Sequence, residues 1–298
     1  MKTALITGLR SFTGRYLKTA LQAAGYGVYG TVHGINACGK WETSLDLCSQ
    51  VSVRKFVARV RPDVVIHLAA ISFVAHDNVE EMYRTNILGT RNLLEAIVSC
   101  GHKPTAVLLV SSANIYGQTT VDPITESTPV NPLNDYGVSK LAMEHMAHLW
   151  IDKLPVIIVR PFNYTGVGQS LDFLLSKIVD HYRQKKPVIE LGNLNVARDF
   201  SDVRMVVKAY IKLIELAPVN EIFNICSGQM YSLQQILVMM TELAGYEIQV
   251  NINPAYVRKN EIKSFRGSNA KLIKSIGNIE IIPLKETLRW MYESSSCN

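Results

Sequence analysis

The 298-residue sequence has no apolar run near the roughly 18 residues that a bilayer-spanning helix needs, so no membrane segment is expected. It opens on Thr3-Ala4-Leu5-Ile6 with neither a charged leader nor a small-residue cleavage site, which predicts no signal peptide. Cysteine is scarce: Cys38, Cys48, Cys100, Cys226 and Cys297 are odd in number, scattered, and never spaced as C-x-x-C. That pattern argues against a disulfide framework and against a zinc site, and it predicts a reducing cytoplasm and no metal. Basic runs are equally short, none longer than Lys185-Lys186, and no aromatic stripe is interleaved with them. The net charge of +6 therefore speaks against a nucleic-acid partner and for a basic enzyme that takes phosphorylated ligands. Internal repeats and low-complexity segments are also missing.

What is present is an alternation of short apolar strands with amphipathic helices. Strands are expected at Ala4–Thr7, Gly27–Val32, Val64–Ala69, Val107–Ser111 and Val156–Pro161. Helices are expected from about Gly14, around Val53–Val60, through Asn92–Val98 and over Tyr136–Trp150. Near-continuous apolar strands separated by helices predict a parallel sheet covered on both faces, an α/β Rossmann doubly wound fold. After Pro161 the rhythm breaks into Asn-richer pieces with short strands at Val188–Leu191 and Ile248–Ile252. Helix Met205–Leu216 and strand Ile222–Cys226 are expected to rejoin the sheet. The division predicted is a dinucleotide domain of residues 1–162 and 202–228, with a smaller discontinuous α/β substrate-binding domain of 163–201 and 229–298.

Strand, then Thr7-Gly8-Leu9-Arg10-Ser11-Phe12-Thr13-Gly14, then helix is the setting of a pyrophosphate-binding turn. Glycine allows the tight turn, and a helix N-terminus offers free N–H groups and a positive dipole end. Ser11 replaces the middle glycine of G-x-x-G-x-x-G, so its side chain either pushes the pyrophosphate outward or donates a hydroxyl to it. An ordinary βα turn is the alternative. The second strand ends Gly30-Thr31-Val32-His33-Gly34 without the carboxylate that usually holds an NAD ribose. Arg10, His33 and Lys40 are near in sequence and suited to a 2′-phosphate, which favours NADP(H) over NAD(H). Asp46-Leu47 follows a third strand and is read either as an adenine contact or as a helix N-cap.

Tyr136-Gly137-Val138-Ser139-Lys140 places a phenol and an ammonium four residues apart, on one helix face. A nearby ammonium favours phenolate, which predicts a lowered tyrosine pKa and a phenol able to exchange a proton with a carbonyl oxygen. Ser112 stands close by at the carboxyl end of a buried strand, where open α/β sheets bind ligands.

Taken with the Gly8–Gly14 loop, His67-Leu68-Ala69-Ala70 and Asn86 in Thr85-Asn86-Ile87-Leu88-Gly89-Thr90, these residues resemble the extended short-chain dehydrogenase/reductases. The resemblance covers nearly the whole chain and lies with the nucleotide-sugar epimerases and dehydratases. It implies that Gly8, Arg10, Ser11, Phe12, Gly14, His33, Asp46, Leu47, Leu68, Ala69, Ala70, Asn86, Tyr136, Lys140 and Pro161 lie along the cofactor. It further implies that Ser112 polarises the substrate oxygen and that Lys140 also holds the nicotinamide ribose. Asn86 reads as structural rather than chemical, and a homodimer is implied.

The second half resembles nucleotide-sugar sites. Arg160–Gln169, with Asn163, is similar to the strand end and loop that seat sugar and diphosphate. Leu191-Gly192-Asn193-Leu194-Asn195 followed by Arg198-Asp199-Phe200 resembles the GDP-mannose 4,6-dehydratases and their partner 4-keto-reductases. Arg258 and Glu261 match the positions where that group holds phosphate and ribose, roles that suit a bidentate guanidinium and a carboxylate. Lys177 is a further candidate for base or phosphate, and Ser72, Phe73 and Val74 for the wall near C6. The group's dehydratases carry a glutamate two residues before the tyrosine that stands here as Tyr116. This chain has Asn114, an amide that can orient a substrate but cannot move a proton at neutral pH.

The resemblance thus implies reduction of the C4 ketone of a GDP-4-keto-6-deoxyhexose by NADPH, as in making GDP-rhamnose or GDP-6-deoxytalose for surface polysaccharide. A heptose substrate requires only more room near C6. The rivals are a GDP-mannose 4,6-dehydratase, a nucleotide-sugar 4-epimerase that keeps its NAD(H), and a non-catalytic NADP-binding regulator.

Overall fold

The computed structural model describes residues 1–34, 39–72, 78–256 and 262–294. The first half runs β1 (Thr3–Thr7), α1 (Phe12–Ala23), β2 (Gly27–Val32), β3 (Glu42–Ser44), α2 (Gln50–Val60), β4 (Val64–His67), α3 (Val79–Tyr83), α4 (Thr90–Ser99), β5 (Ala106–Val110), α5 (Asp135–His148) and β6 (Val156–Pro161). A single π-helical stretch, Arg84–Gly89, joins α3 to α4, and a 3₁₀ turn, Ala113–Tyr116, follows β5. The rest runs β7 (Asn163–Thr165), α6 (Leu174–Arg183), β8 (Val188–Leu191), β9 (Ala197–Asp202), α7 (Val203–Leu216), β10 (Glu221–Ile225), β11 (Met230–Ser232), α8 (Leu233–Ala244), β12 (Gln249–Ile252), β13 (Ser264–Phe265), α9 (Ala270–Ile276) and α10 (Leu284–Glu293).

Seven strands form one sheet in the order β10-β6-β5-β4-β1-β2-β3, and every pairing is parallel. The apolar runs dictate this: all four residues of β4 and all six of β6 are buried, so helices must cover both faces. One layer packs α1 and α7 on the sheet through Leu17, Leu21, Val206, Tyr210 and Leu213. The other packs α2, α4 and α5 through Val53, Phe56, Leu93, Ile97 and Met143. The order reverses between β1 and β4, which opens a crevice at their carboxyl ends.

The remaining strands make small sheets. β9 is flanked by β11 and β13 and also pairs with β7, while β8 pairs with β12. Helices α6, α8 and α10 cover them around Leu175, Ile178, Tyr182, Ile236 and Leu288. Helix α9 does not join this cluster: Leu272 and Ile276 pack with α7 under the large sheet. Among the described residues no helix is long and apolar enough to cross a membrane.

Candidate active site

The turn after β1 is built for close approach. Gly8 takes φ +74, and a Cβ on it would lie 3.2 Å from the Ala69 backbone at the end of β4. At Gly14 a Cβ would sit 2.4 Å from the Gly8 carbonyl oxygen and 2.6 Å from that of Leu9, so the first turn of α1 presses on the loop as only glycine permits. Ser11 is the N-cap of α1, its Oγ accepting from Gly14 N at 3.1 Å. It therefore takes up one orphan N–H itself and keeps its own proton to donate. This cradle, with α1 behind it, fits a dinucleotide pyrophosphate.

The adenosine end differs from the sequence expectation. Although β2 ends without a carboxylate, Glu42 enters from β3, paired in register with Gly30. Its Oε2 accepts from Arg10 Nη2 at 2.6 Å and Nε at 3.0 Å, and Lys18 lies 3.5 Å from Oε1. Arg10 hydrogen-bonding chiefly drives the Glu42 carboxyl below its ordinary pKa. The third strand expected before Asp46 is present, but Glu42 on it was missed, because only the register of β3 against β2 brings it to the end of the turn after β1. His33 is exposed just past β2. Asp46 is exposed and accepts from Cys48 N at 2.8 Å, while Ser49 occupies the N-cap of α2, so Asp46 is not that cap. Leu47 is buried and its carbonyl accepts from Asn92.

Between β1 and β4 runs a buried polar chain that sequence reasoning missed. Thr90 donates to the Asn86 carbonyl at 2.7 Å, so its oxygen accepts from His67 Nε2 at 2.8 Å. The Nδ1 atom is then left to accept from Thr7 Oγ1 at 2.7 Å, and Thr7 in turn accepts from Ala69 N. Burial, aided by the Lys140 charge, pushes His67 down to about 3, and the ring is neutral with its proton on Nε2. Asn86 grips the Ile71 backbone through both N–H and C=O and donates to Ser139 on α5 at 3.0 Å. Its amide is spent on protein, in keeping with a structural role.

Helix α5 brings the catalytic candidates to the end of β5. Asn134 caps it by accepting from Gly137 N at 2.8 Å, which fixes Tyr136 in the first turn. Tyr136 and Lys140 are 8% and 4% exposed, so both work away from bulk water. Lys140 Nζ donates to the Val110 carbonyl at 2.7 Å and lies 6.0 Å from the Tyr136 ring centroid. Burial lowers Lys140 to about 8, against the pull of Glu144. The expected fall in the Tyr136 pKa does not occur in the free chain: burial raises the phenol, and the Ser112 hydroxyl opposes this only in part. The physical reason is that the ammonium is turned to a carbonyl rather than to the phenol oxygen, while desolvation acts on the phenolate in full. Ser112 is buried, and its Oγ accepts from Asn114 N and Asn114 Nδ2, each at 3.1 Å. One turn past Lys140, Glu144 makes a buried two-pronged pair with Arg160 at 2.7 and 3.0 Å, and Arg160 also donates to Tyr116. Arg160 is thus an internal anchor rather than a substrate arm.

The candidates of the second half are more dispersed. Pro161 closes β6 and Ala70 follows β4, both on the sheet's carboxyl edge, with Leu68 N bonded to the Thr7 carbonyl. Phe12 stacks on Tyr164 at 6.0 Å. Asn163 Nδ2 donates to the Asp199 carbonyl. Gly192 is approached by the Tyr256 carbonyl oxygen, 2.6 Å from where a Cβ would sit. Asn193 accepts from Asn195 N, and Leu194 packs on the α6/α8 core. Lys177 donates to the Glu190 carbonyl and covers the Tyr256 ring at 4.6 Å. Arg198 donates to the Ala197 carbonyl. Ser72 is exposed. Phe73, Val74, Arg258 and Glu261 lie outside the described residues.

Residues 4–226 match the NAD dependent epimerase/dehydratase family. The GDP-6-deoxy-D-talose 4-dehydrogenase of Aggregatibacter actinomycetemcomitans is 35% identical over 85% of this chain and 86% of its own. The GDP-6-deoxy-D-mannose reductase of Pseudomonas aeruginosa is 32% identical over 95% and 94%. Among solved structures, a Burkholderia cenocepacia J2315 protein with a provisional epimerase assignment is 50% identical, with a TM-score of 0.93 over 98% and 97% of the two chains. RMD from Pseudomonas aeruginosa, solved with NADPH, is 30% identical with a TM-score of 0.86 over 98% of each. The chain therefore belongs to the NAD dependent epimerase/dehydratase family and is an NAD(P)-dependent oxidoreductase on a Rossmann-type fold.

Proposed function

We propose that this enzyme reduces the C4 ketone of a GDP-4-keto-6-deoxy sugar, with a hexose as substrate and a heptose as the roomier variant. The observation that carries this reading is the composition of the catalytic corner. Ser112, Tyr136 and Lys140 meet at the end of β5, and the neighbouring position two residues before Tyr116 holds the amide Asn114 rather than an acid. A single phenol serves one proton transfer, which is what a ketone reduction needs and what an elimination exceeds. The names of the two relatives, a GDP-6-deoxy-D-talose 4-dehydrogenase and a GDP-6-deoxy-D-mannose reductase, support the substrate class.

A nicotinamide cofactor held along the carboxyl edge of the sheet by the glycine turn after β1 and by Lys140 would supply the hydride. Tyr136 donates its proton to the oxygen at C4, Ser112 holds that oxygen by its hydroxyl, and Lys140 keeps a positive charge beneath the pair. A phenol raised by burial is a proton donor at neutral pH, which suits the reducing direction. NADP(H) is the proposed cofactor: Arg10 and Lys18 outnumber Glu42 at the adenosine end, and the Pseudomonas relative was solved with NADPH. Residues 1–162 and 202–228 bind it, and 163–201 with 229–298 bind the nucleotide sugar, the α9 segment excepted because it packs under the large sheet. The site residues assigned to each from the sequence belong to this proposal. So do a cytoplasmic homodimer and a place in surface-polysaccharide synthesis.

The test is to supply GDP-4-keto-6-deoxymannose with NADPH or NADH and identify the product by NMR. Stoichiometric cofactor oxidation with a 4-hydroxy product is expected, and faster with NADPH. Conversion of GDP-mannose to its 4-keto-6-deoxy form would overturn the assignment. The provisional epimerase assignment of the Burkholderia structure favours a second reading, a 4-epimerase. An epimerase purifies with nicotinamide bound and leaves added NADPH unconsumed.

A further inference from the structure

The Ser112 hydroxyl has two acceptor lone pairs and one proton. Both lone pairs are engaged from the same residue: Asn114 N and Asn114 Nδ2 each reach Oγ at 3.1 Å. The first contact is the ordinary cap of the 3₁₀ turn Ala113–Tyr116, but the second is a side chain spent on a side chain. With both acceptor positions filled, the Ser112 proton has no place on the Asn114 side and has to point away from it, on the side of the Tyr136 phenol.

The surrounding packing holds this arrangement against the catalytic helix. A Cβ on Gly137 would lie 2.9 Å from the Asn114 carbonyl oxygen, so the Asn114 turn rests directly on the first turn of α5. Asn134 caps that same turn on Gly137 N. Ser112, Asn114 and Tyr136 therefore sit on one unit, and Ser112 is the group that pulls the Tyr136 phenol downward against its burial, as a donor to the phenol oxygen does.

We infer that Asn114 is a positioning residue whose side-chain amide makes the Ser112 hydroxyl an obligate donor to the reacting oxygen. This rests on the ketone-reduction reading above and adds to it a role for Asn114 distinct from contact with substrate. An amide N–H directed at Oγ leaves the serine one option, to donate. A carboxylate of the same shape would accept the serine proton and turn it away from the substrate. The position thus discriminates by donor or acceptor character, not by size.

Asn114→Asp is nearly isosteric and reverses that character, while Asn114→Ala removes the contact and leaves the main-chain cap. At neutral pH, Asn114→Asp is expected to lower kcat about a hundredfold, the scale for losing one donor to a developing oxyanion, with KM changed less than about twofold. Asn114→Ala is expected to lose less than Asn114→Asp. A structural role predicts the opposite order, since the aspartate keeps the shape that alanine loses. An Asn114→Asp enzyme at least as active as Asn114→Ala, or a loss confined to KM, overturns the inference. A substrate-free measurement keeps it separate from the reaction assignment: in ¹⁵N NMR of the unliganded enzyme, Ser112→Ala should move one Asn114 side-chain amide proton upfield. No such shift overturns the inference even if ketone reduction holds. Absence of turnover by the wild type overturns the reaction reading and leaves the NMR result to decide this one.

Discussion

His67 makes a prediction that can be worked through to a number. The ring is buried, accepts from Thr7 on Nδ1 and donates to Thr90 from Nε2, so it folds neutral. Its pKa is near 3 in the fold against 6.5 in an unfolded chain. The unfolded chain binds a proton below 6.5 that the native chain refuses, so stability is fully present above pH 6.5 and is lost as pH falls toward 3. Between pH 7 and pH 5 the loss is set almost wholly by protonation of the unfolded chain and comes to about 2 kcal/mol. Urea unfolding at the two pH values measures it, with His67→Gln as the comparison, because all other titrating groups are common to both. The wild type should lose about 2 kcal/mol more than the variant. Equal losses refute the reasoning. Should the variant not fold, ¹⁵N shifts of the wild-type imidazole decide instead: they should stay at the neutral, Nε2-protonated values at pH 5, and charging there sinks the claim.

Lys140 loses its proton as pH rises through about 8, so kcat/KM should fall on the alkaline side with a limb near that value. Lys140→Arg keeps the charge at all such pH values and should remove the limb; a limb that persists counts against the assignment. Gly14→Ala sets a Cβ 2.4 Å from a backbone oxygen. The shift it forces, about 1–3 kcal/mol, should weaken NADPH binding about tenfold in a fluorescence titration, and an unchanged Kd contradicts the phosphate-loop geometry. Glu144→Gln leaves Arg160, 5% exposed, without its counter-charge. Unfolding should show a loss of about 3–5 kcal/mol, and a change below 1 kcal/mol would mean that the pair is replaceable by solvent or Tyr116.

The large sheet was legible because its strands are buried on both faces, and that requirement is written directly as apolar runs such as Val64-Val65-Ile66. Strands Gly27–Val32 and Val156–Pro161 begin and end where periodicity puts them. The small sheets were not legible for the converse reason. Strand β9, Ala-Arg-Asp-Phe-Ser-Asp, is polar by composition yet buried at Asp199 and Asp202, because their oxygens are met by Ser227, Gly228 and Thr287 from far along the chain. No local pattern announces such donors. The third strand was expected before Asp46, but the engagement of its Glu42 by Arg10, 32 residues away, was not legible for the same reason.

By itself the sequence determined that a phenol and an ammonium share one helix face, that a glycine turn precedes a helix, and that no acid stands at position 114. Spacing along one element settles such facts, since a helix carries residues four apart to the same side. Only the tertiary structure decided how those groups behave. Burial raises Tyr136 where adjacency to lysine alone predicts a fall, a remote carboxylate engages Arg10, and Asn114 turns inward onto Ser112. The first depends on desolvation, the second on a partner 32 residues away, and the third on a turn that packs against Gly137 of α5, all of which exist only once the chain has closed on itself.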